Sequence, residues 1–397
     1  MTFIVFLPKI ELSNSNIGSK METIKRFFDI KRQSFFLLGP RGTGKSTMIK
    51  ELFPEALYVD LLLPDIYRSY IARPERLREL VYANKNKRVI VLDEIQKVPE
   101  LLDVVHSLME EKRGLQFILT GSSARKLKKT GIDLLAGRAV SKRMHPFLAG
   151  ELRELFNIET ALKYGMIPVI VDSIDPVSSL QAYVDLYIRE EVQMEGLTRN
   201  IGNFARFLEA VSFSHGSVLN ISNIGRECGI ERKVVEGYLN ILEDLLLAYR
   251  LPVFTKRAKR ATVQHPKFYF YDTGLFHALR PSGPLDRPEE KAGVALEGLV
   301  AQHLRGWLDY RHPGARLYFW RTSSGSEVDF IVYGSDIFQA IEVKNSSTIH
   351  PGDLRPLKSF CEDYPEAERI ILYRGNEKLL RDGITIGPCE EFLRRLM

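Results

Sequence analysis

The first part of the chain alternates short apolar runs with a segment of helical periodicity. Continuous apolar runs are typical of strands covered on both faces, as in parallel sheets. Four such runs occur, SFFLLG (34–39), EALYVDL (55–61), RVIVLDEI (88–95) and LQFILTGSS (115–123). PELLDVVHSLMEE reads as an amphipathic helix between the last two. The alternation predicts an α/β fold with a doubly wound parallel sheet.

The middle of the chain is predominantly helical. Residues 145–192 predict helices interrupted at YGMIPVI and SIDP, and residues 220–251 predict two helices joined by a tight turn at Gly229. The second helix carries apolar residues at helical spacing, so the pair indicates a helix-turn-helix. A basic segment follows at 250–272, with Arg250, Lys256, Arg257, Lys259, Arg260 and Lys267 and no acid before Asp272.

This basic segment predicts a wing whose cations contact DNA phosphates without reading sequence. An alternative stays open, because the second helix exposes Glu231, Glu236 and Glu243, which suit a DNA groove poorly. In that alternative the region is a lid or a subunit contact.

The C-terminal part follows a Pro/Gly-rich linker at 280–290. A helix at 293–308, the strands RLYFWRT, SEVDFIVY and IFQAIEVK, a helix near 353–363 and the strand RIILYR give the order α-β-β-β-α-β.

Composition narrows the class of protein. The 397 residues are 45% hydrophobic and 27% charged, with a formal net charge of +6. These values are typical of a globular protein, and the mild positive charge permits a nucleic-acid partner without demanding one. Three separated cysteines, Cys228, Cys361 and Cys389, indicate a reducing compartment. No apolar run is long enough to span a bilayer, so we expect a cytoplasmic protein with no membrane partner.

A phosphate-binding loop lies between the first strand and a helix. GPRGTGKST supplies Gly39, Pro40, Arg41, Gly42, Thr43, Gly44, Lys45, Ser46 and Thr47. The glycines let backbone N–H groups surround phosphate oxygens, Lys45 reaches the terminal phosphates and Ser46 offers a hydroxyl to Mg²⁺. ATP is therefore the predicted ligand.

Two acids end the RVIVLDEI strand, at the sheet edge where ligands bind. We expect Asp93 to hold Mg²⁺ through water and Glu94 to polarise the water that attacks the γ-phosphate. One of Thr120, Ser122 or Ser123 at the next strand end is the expected sensor, with Ser122 preferred. Arg138 in the basic stretch 124–143 is a candidate arginine finger, in cis or in trans, or else an ordinary solvated arginine.

Together, GPRGTGKST, VLDEIQKVP and ILTGSSARKL…LLAGR resemble a prokaryotic family of AAA-type P-loop ATPases. The resemblance implies an ATPase core with a helical lid, a winged helix and a C-terminal nuclease-like domain. The boundaries that we expect are 1–150, 151–200, 201–285 and 286–397. It also implies a homo-oligomer as an open possibility.

Acids in the C-terminal strands are unusual. Because side chains alternate along a strand, Glu327 and Asp329 share one face of their strand. Glu342 and Lys344 likewise share one face of the following strand. A turn at YGSD would bring Asp329 beside Glu342, and two close carboxylates need a cation or a raised pKa. Mg²⁺ or Mn²⁺ suits oxygen ligands, Glu297 could complete the shell, and Lys344 could orient a water.

This layout resembles the PD-(D/E)xK nuclease fold, a restriction-endonuclease-like α/β domain, with Val328 where proline is common. The resemblance implies catalytic roles for Asp329, Glu342 and Lys344. A structural ion-pair cluster that has lost cleavage is the alternative. The sequence thus predicts a DNA-binding ATPase with a nuclease tail, or else a nucleotide-gated switch or scaffold whose tail does not cut.

Overall fold

A computed structural model describes residues 24–30, 32–123, 134–188, 192, 200–256, 260, 262–284 and 287–396. The strands within these ranges form sheets of five, three and six strands. No helix of the described residues is long and apolar enough to cross a membrane.

The N-terminal sheet is parallel throughout, in the order β2-β3-β4-β1-β5. Its strands are β1 (Phe35–Leu38), β2 (Leu57–Asp60), β3 (Val89–Asp93), β4 (Gln116–Gly121) and β5 (Val140–Arg143). Helices around it are α1 (Lys45–Leu52), α2 (Pro64–Ala72), α3 (Arg76–Ala83) and α4 (Leu101–Glu110). The four predicted strands and the helix before β4 are present, so the parallel α/β core is confirmed. All carboxyl strand ends lie at one edge.

Short helices continue the chain after β5. They are α5 (Ala149–Leu152), α6 (Ile158–Tyr164), α7 (Pro168–Val171) and α8 (Pro176–Ala182), followed by a π-helical turn at Tyr183–Ile188. Residues 200–284, called the middle region below, contain α9 (Ile201–Ser212), α10 (Ile221–Cys228), α11 (Arg232–Asp244) and α12 (Thr273–Leu279). Gly229 has a φ of 65°, which makes the tight turn between α10 and α11.

A small antiparallel sheet completes the middle region. Its strands are β6 (Ser217–Val218), β7 (Ala248–Leu251) and β8 (Lys267–Phe270), in the order β6-β8-β7. Strand β8 is buried along its whole length.

The C-terminal domain begins with the long helix α13 (Pro288–Arg311), which extends beyond the predicted 293–308 at both ends. Its strands are β9 (Arg316–Arg321), β10 (Glu327–Tyr333), β11 (Phe338–Lys344), β12 (Glu368–Tyr373), β13 (Leu379–Arg381) and β14 (Ile384–Pro388), with helices α14 (Arg355–Asp363) and α15 (Cys389–Arg395). The sheet order is β13-β14-β12-β11-β10-β9. The α-β-β-β-α-β order is present, and β13, β14 and α15 were not predicted.

The segment after β7 lies along the C-terminal sheet. Phe254 N–H donates to the Phe319 carbonyl at 2.7 Å, Phe319 N–H donates to Pro252 at 3.1 Å, and Val263 N–H donates to Arg321 at 3.1 Å. The Phe254 side chain is buried in the C-terminal core. Free backbone groups at a sheet edge favour such pairing. The extended runs that flank KRAKR do pair antiparallel, as β7 and β8, but the described residues after β7 lie along the C-terminal sheet. The DNA contacts of the wing stay a prediction.

One apolar core runs from Phe147 to Leu396 through the short helices, the middle region and the C-terminal domain. Helix α15 packs on α5, and Arg394 donates to the Phe156 carbonyl at 2.6 Å. The chain after the parallel sheet is thus held together by shared packing.

Candidate nucleotide site and acidic cluster

The loop after β1 has the backbone that its glycines predict. Gly42 and Gly44 have φ of 73° and 85°, in the left-handed region. At Gly39 a Cβ would lie 2.6 Å from the Met144 carbonyl oxygen. Substitution at these positions would strain the loop or push it away from β5.

Lys45 opens α1 and is nearly fully buried. Its Nζ donates to the carbonyls of Gly39 at 2.6 Å and Pro40 at 3.0 Å, and Thr43 Oγ1 donates to Pro40 at 2.8 Å. The ammonium lies inside the loop, beside the N-terminus of α1. An ammonium and a helix N-terminus together make a site for an anion.

Asp93 lies at the end of β3 and is buried. Its two carboxylate oxygens accept hydrogen bonds from Tyr58 and Thr120. Burial raises the pKa of Tyr58, and the hydrogen bond to Asp93 raises it further, whereas one with Ser46 lowers it. One phenol therefore contacts both Ser46 and Asp93. This hydroxyl–carboxylate pair is an oxygen donor set that fits Mg²⁺.

Glu94 follows with a φ of 61°, an uncommon conformation for a glutamate. Gln96 Nε2 donates to the Glu94 carboxylate and, at 3.0 Å, to Ser122 Oγ. Ser122 Oγ donates to the same Glu94 oxygen at 3.3 Å. The Glu94 N–H donates to Thr120 Oγ1 at 3.1 Å. The hydroxyls at the end of β4 thus contact Asp93 and Glu94, and the sensor role of Ser122 stays a prediction.

Gln96 was not identified from the sequence, although it contacts Glu94 directly. Its only sequence signal is a polar residue two positions after the acid pair. Gly121 leaves room for it, because a Cβ there would lie 2.7 Å from Gln96 Oε1.

A cleft of about 600 Å³ adjoins the phosphate-binding loop. Gly42, Gly44, Thr47 and Met48 form one side, and Phe28, Phe147, Pro168 and Val169 form the rest with their neighbours. Pockets that combine apolar walls with a few polar groups are typical small-molecule sites. This cleft can hold the apolar part of a ligand whose phosphates lie in the loop.

Arg138 lies far from this site. It precedes β5, at the amino edge of the parallel sheet, and forms a salt bridge with Glu110 at the end of α4 and a 3.1 Å contact with His106 Nε2. The phosphate-binding loop lies at the opposite edge. The suggested role in cis is therefore wrong, and the role in trans stays a prediction. Residues 124–133 of the same basic stretch lie outside the described residues.

The C-terminal acids do meet, as the strand geometry predicted. Strands β10 and β11 pair antiparallel with Phe330 opposite Ile341, so Asp329 lies opposite Glu342. Glu342 Oε1 accepts from Lys344 Nζ at 2.7 Å, and Asp329 Oδ2 accepts from the Val343 N–H at 2.9 Å.

A lysine from the middle region lies among these acids. Lys267 Nζ is 2.9 Å from Glu297 Oε1, 2.5 Å from Glu327 Oε1 and 3.4 Å from Asp329 Oδ1. Tyr269 Oη also donates to Glu297, at 2.5 Å. We call Lys267, Glu297, Glu327, Asp329, Glu342 and Lys344 the acidic cluster.

Burial dominates the electrostatics of this cluster. It raises the pKa of Glu297 to about 7 and, together with the Asp329 carboxylate, that of Glu342 to about 8. Burial alone would lower the pKa of Lys267, but Glu297, Asp329 and Glu327 outweigh it and raise that pKa. Lys267 is therefore charged at neutral pH.

This arrangement corrects the expected metal shell of Glu297, Asp329 and Glu342. The first two surround an ammonium nitrogen, and the described residues contain no group of three or more His, Cys, Asp or Glu side chains arranged for a metal ion. The donor set does not fit Mg²⁺ or Mn²⁺, because the Lys267 ammonium already contacts Glu297 and Asp329, two of the three expected ligands. Sequence reasoning placed Lys267 in the wing; a single lysine in the apolar run PKFYFY was the available signal.

Other cations of the expected wing also have partners. Arg250 forms a salt bridge with Glu243 at 2.5 Å, Arg260 pairs with Glu362 and Asp363, and Lys256 lies over the Tyr333 ring at 4.3 Å. Arg257 and Lys259 lie outside the described residues. The described part of the segment offers little free charge for DNA phosphates.

Family models cover three parts of the chain. The AAA domain model matches residues 31–153, and two domains of unknown function, DUF8612 and DUF4143, match residues 155–286 and 292–392. The first match supports a P-loop ATPase with ATP and Mg²⁺ as its ligands.

Relatives and solved structures are distant. Uncharacterized proteins of Mycobacterium tuberculosis and Mycobacterium bovis are each 26% identical over 90% of this chain and 80% of theirs. The ADP form of the Aeropyrum pernix ORC2 protein is 13% identical, with a TM-score of 0.28 over 68% of this chain and 88% of that one. A Vibrio cholerae protein of known crystal structure is 11% identical, with a TM-score of 0.21 over 91% and 96%.

Proposed function

We propose that the protein binds and hydrolyses ATP with Mg²⁺ and acts as a nucleotide-gated switch. The observation that carries this proposal is that Lys45, Asp93 and Glu94 lie at the carboxyl edge of one parallel sheet, where Tyr58 contacts both Ser46 and Asp93. Each has the chemistry that phosphoryl transfer to water requires.

The loop amides and Lys45 bind the phosphates, and Ser46 and Asp93 hold Mg²⁺. When bound, the ion neutralises the charge that develops on the phosphate oxygens. Glu94 orients the attacking water and accepts its proton. The contacts from Gln96 and Ser122 fix the carboxylate at that strand end.

Contacts with distant elements support the switch. Tyr183 Oη donates to the Arg41 carbonyl of the loop at 3.0 Å and contacts Tyr271 Oη at 2.8 Å. Arg26 donates to the Thr43 carbonyl at 3.1 Å and to Tyr310 of α13 at 3.4 Å. A loop that moves with nucleotide would therefore shift the ends of β8 and α13 as well.

ATP turnover of the full chain tests the proposal. Lys45→Ala should reduce phosphate release to background, whereas Lys85→Ala, at an exposed lysine of the α3–β3 turn, should leave it unchanged. Equal turnover in both variants would refute the assignment. Limited proteolysis with and without ATPγS tests the switch, since cleavage that is identical in both states would rule it out.

A further inference from the structure

Lys267 has the position and contacts of a resident cation. An ammonium has three N–H donors, and three carboxylate oxygens lie within 3.4 Å of this one. The side chain is 1% exposed, so the carboxylates, and not water, satisfy its charge. We propose that Lys267 permanently occupies the space among Glu297, Glu327 and Asp329, so that the acidic cluster is a metal-free lock between the middle region and the C-terminal domain.

The lysine is fixed by its strand. Lys267 pairs with Leu251 of β7 and Val218 of β6, so it lies in the central strand of the small sheet. Its ammonium also lies 5.6 Å from the Phe319 ring. Moving the backbone of Lys267 would require β8 to leave both neighbouring strands.

The carboxylate oxygens around the lysine are already used. Glu297 Oε1 also accepts from Tyr269, Asp329 Oδ2 accepts from Val343, and Glu327 Oε2 pairs with Arg321 at 3.2 Å. A divalent ion would need several of these oxygens at once and would lie against the Lys267 charge.

The fourth acid of the cluster, Glu342, is contacted by a different lysine. Its Oε1 is paired with Lys344, and its buried Oε2 has no hydrogen-bond partner. Lys344 is therefore the cation that balances Glu342, as Lys267 balances Glu297, Glu327 and Asp329.

The cluster thus joins two parts of the chain. Lys267 and its neighbour Tyr269 come from the middle region, and the acids come from α13, β10 and β11. The C-terminal domain of this chain would then work without metal-dependent cleavage, as a module that the lock holds against β8.

Manganese binding to the full-length, nucleotide-free protein tests the lock. Electron paramagnetic resonance should give the same number of bound Mn²⁺ ions for the native chain and for Asp329→Asn. Loss of one bound ion in Asp329→Asn would overturn the proposal, because it would place a metal at the cluster.

Lys267→Met provides the positive arm. Without the ammonium, three carboxylates face one another, so the Tm should fall by roughly 5 °C or more. Mn²⁺ should then raise the Tm of Lys267→Met and not that of the native chain. Lys256→Met, at an exposed lysine of the same segment, is the matched control and should keep the native Tm.

A native Tm in Lys267→Met would contradict the lock. If that variant does not fold, Lys267→Arg preserves the charge and should fold without gaining a Mn²⁺ ion. A Lys267→Arg chain that binds an additional Mn²⁺ ion would overturn the proposal.

Discussion

The nucleotide site and the acidic cluster both place carboxylates at the ends or on the faces of buried strands, but they are balanced differently. Asp93 accepts from two hydroxyls and Glu94 from a hydroxyl and an amide, all neutral donors. In the acidic cluster, Lys267 contacts three carboxylates directly. The first pair keeps its negative charge available to a cation, whereas the second group already has one.

This difference shows that acid spacing alone does not identify a metal site. Both groups have oxygen donors on neighbouring strands, and both looked alike in the sequence. The decisive contact in the acidic cluster comes from a residue 60 positions before Glu327, on another sheet. Whether a buried carboxylate binds metal depends on whether the fold already places a side-chain cation beside it.

Replacing Glu94, the proposed general base, should have the largest effect on ATP hydrolysis. Glu94→Gln retains the shape of the side chain and removes its charge, so kcat should fall by about 10²–10⁴-fold. ATP affinity should change little, because Lys45 and the loop remain. Phosphate-release kinetics and binding of a fluorescent ATP analogue measure the two quantities. A kcat within threefold of the native value would exclude Glu94 as the base.

A buried ion pair beside the phosphate-binding loop, like the acidic cluster, balances a carboxylate with a side-chain cation. Arg26 and Glu151 are 3.0 Å apart, with side chains 6% and 0% exposed. Arg26→Met removes the guanidinium that balances the buried Glu151 carboxylate and should lower the free energy of unfolding by about 3–5 kcal/mol.

Urea denaturation of Arg26→Met, Glu151→Gln and the double variant measures this pair. The double variant should lose less stability than the sum of the two single variants. Strict additivity would show that the pair contributes no interaction energy.

Local patterns in the sequence were enough for the parallel sheet and the nucleotide site. GPRGTGKST and VLDEI each combine a strand, a turn and a site residue within a few positions, so their geometry is local. The Asp329–Glu342 pairing was also accessible, because a short turn fixes the register of β10 and β11.

Contacts between distant segments were not accessible. Pairing of Pro252, Phe254 and Val263 with β9 places these residues of the expected wing along the edge of the C-terminal sheet. Lys267 was counted with that wing because it lies within the basic segment 250–272. Its contacts with Glu297, Glu327 and Asp329 arise because β8 packs against α13 and β10. The periodicity of the sequence carries no information about such packing.

The pH dependence of stability tests the electrostatics of the acidic cluster. Burial raises the pKa of Glu342 to about 8, so the folded chain binds more protons than the unfolded chain between about pH 4.5 and 8. Its contribution to stability is present below this window and is lost as the pH rises through it. Glu342→Gln should flatten that slope, and the total change in stability across the window is a few kcal/mol at most.

Denaturation at several pH values from 5 to 9 gives the slope for the native chain and for Glu342→Gln. Glu390→Gln, at a carboxyl of α15 that pairs with Arg394 by 2.8 Å, is a suitable control and should retain the native slope. An unchanged slope in Glu342→Gln would mean that Glu342 ionises normally in the folded chain.

The smallest effect is expected on replacing Arg138. Its guanidinium pairs with Glu110 at the sheet edge opposite the nucleotide, and the pair is about half exposed. Exposed pairs contribute about 0–1 kcal/mol, so Arg138→Ala should change stability little. At protein concentrations where the chain is monomeric, kcat should stay within twofold. A fall of tenfold or more that appears only as the concentration rises would instead reveal an arginine finger acting on a neighbouring copy, since a residue at this edge reaches a phosphate only across an interface.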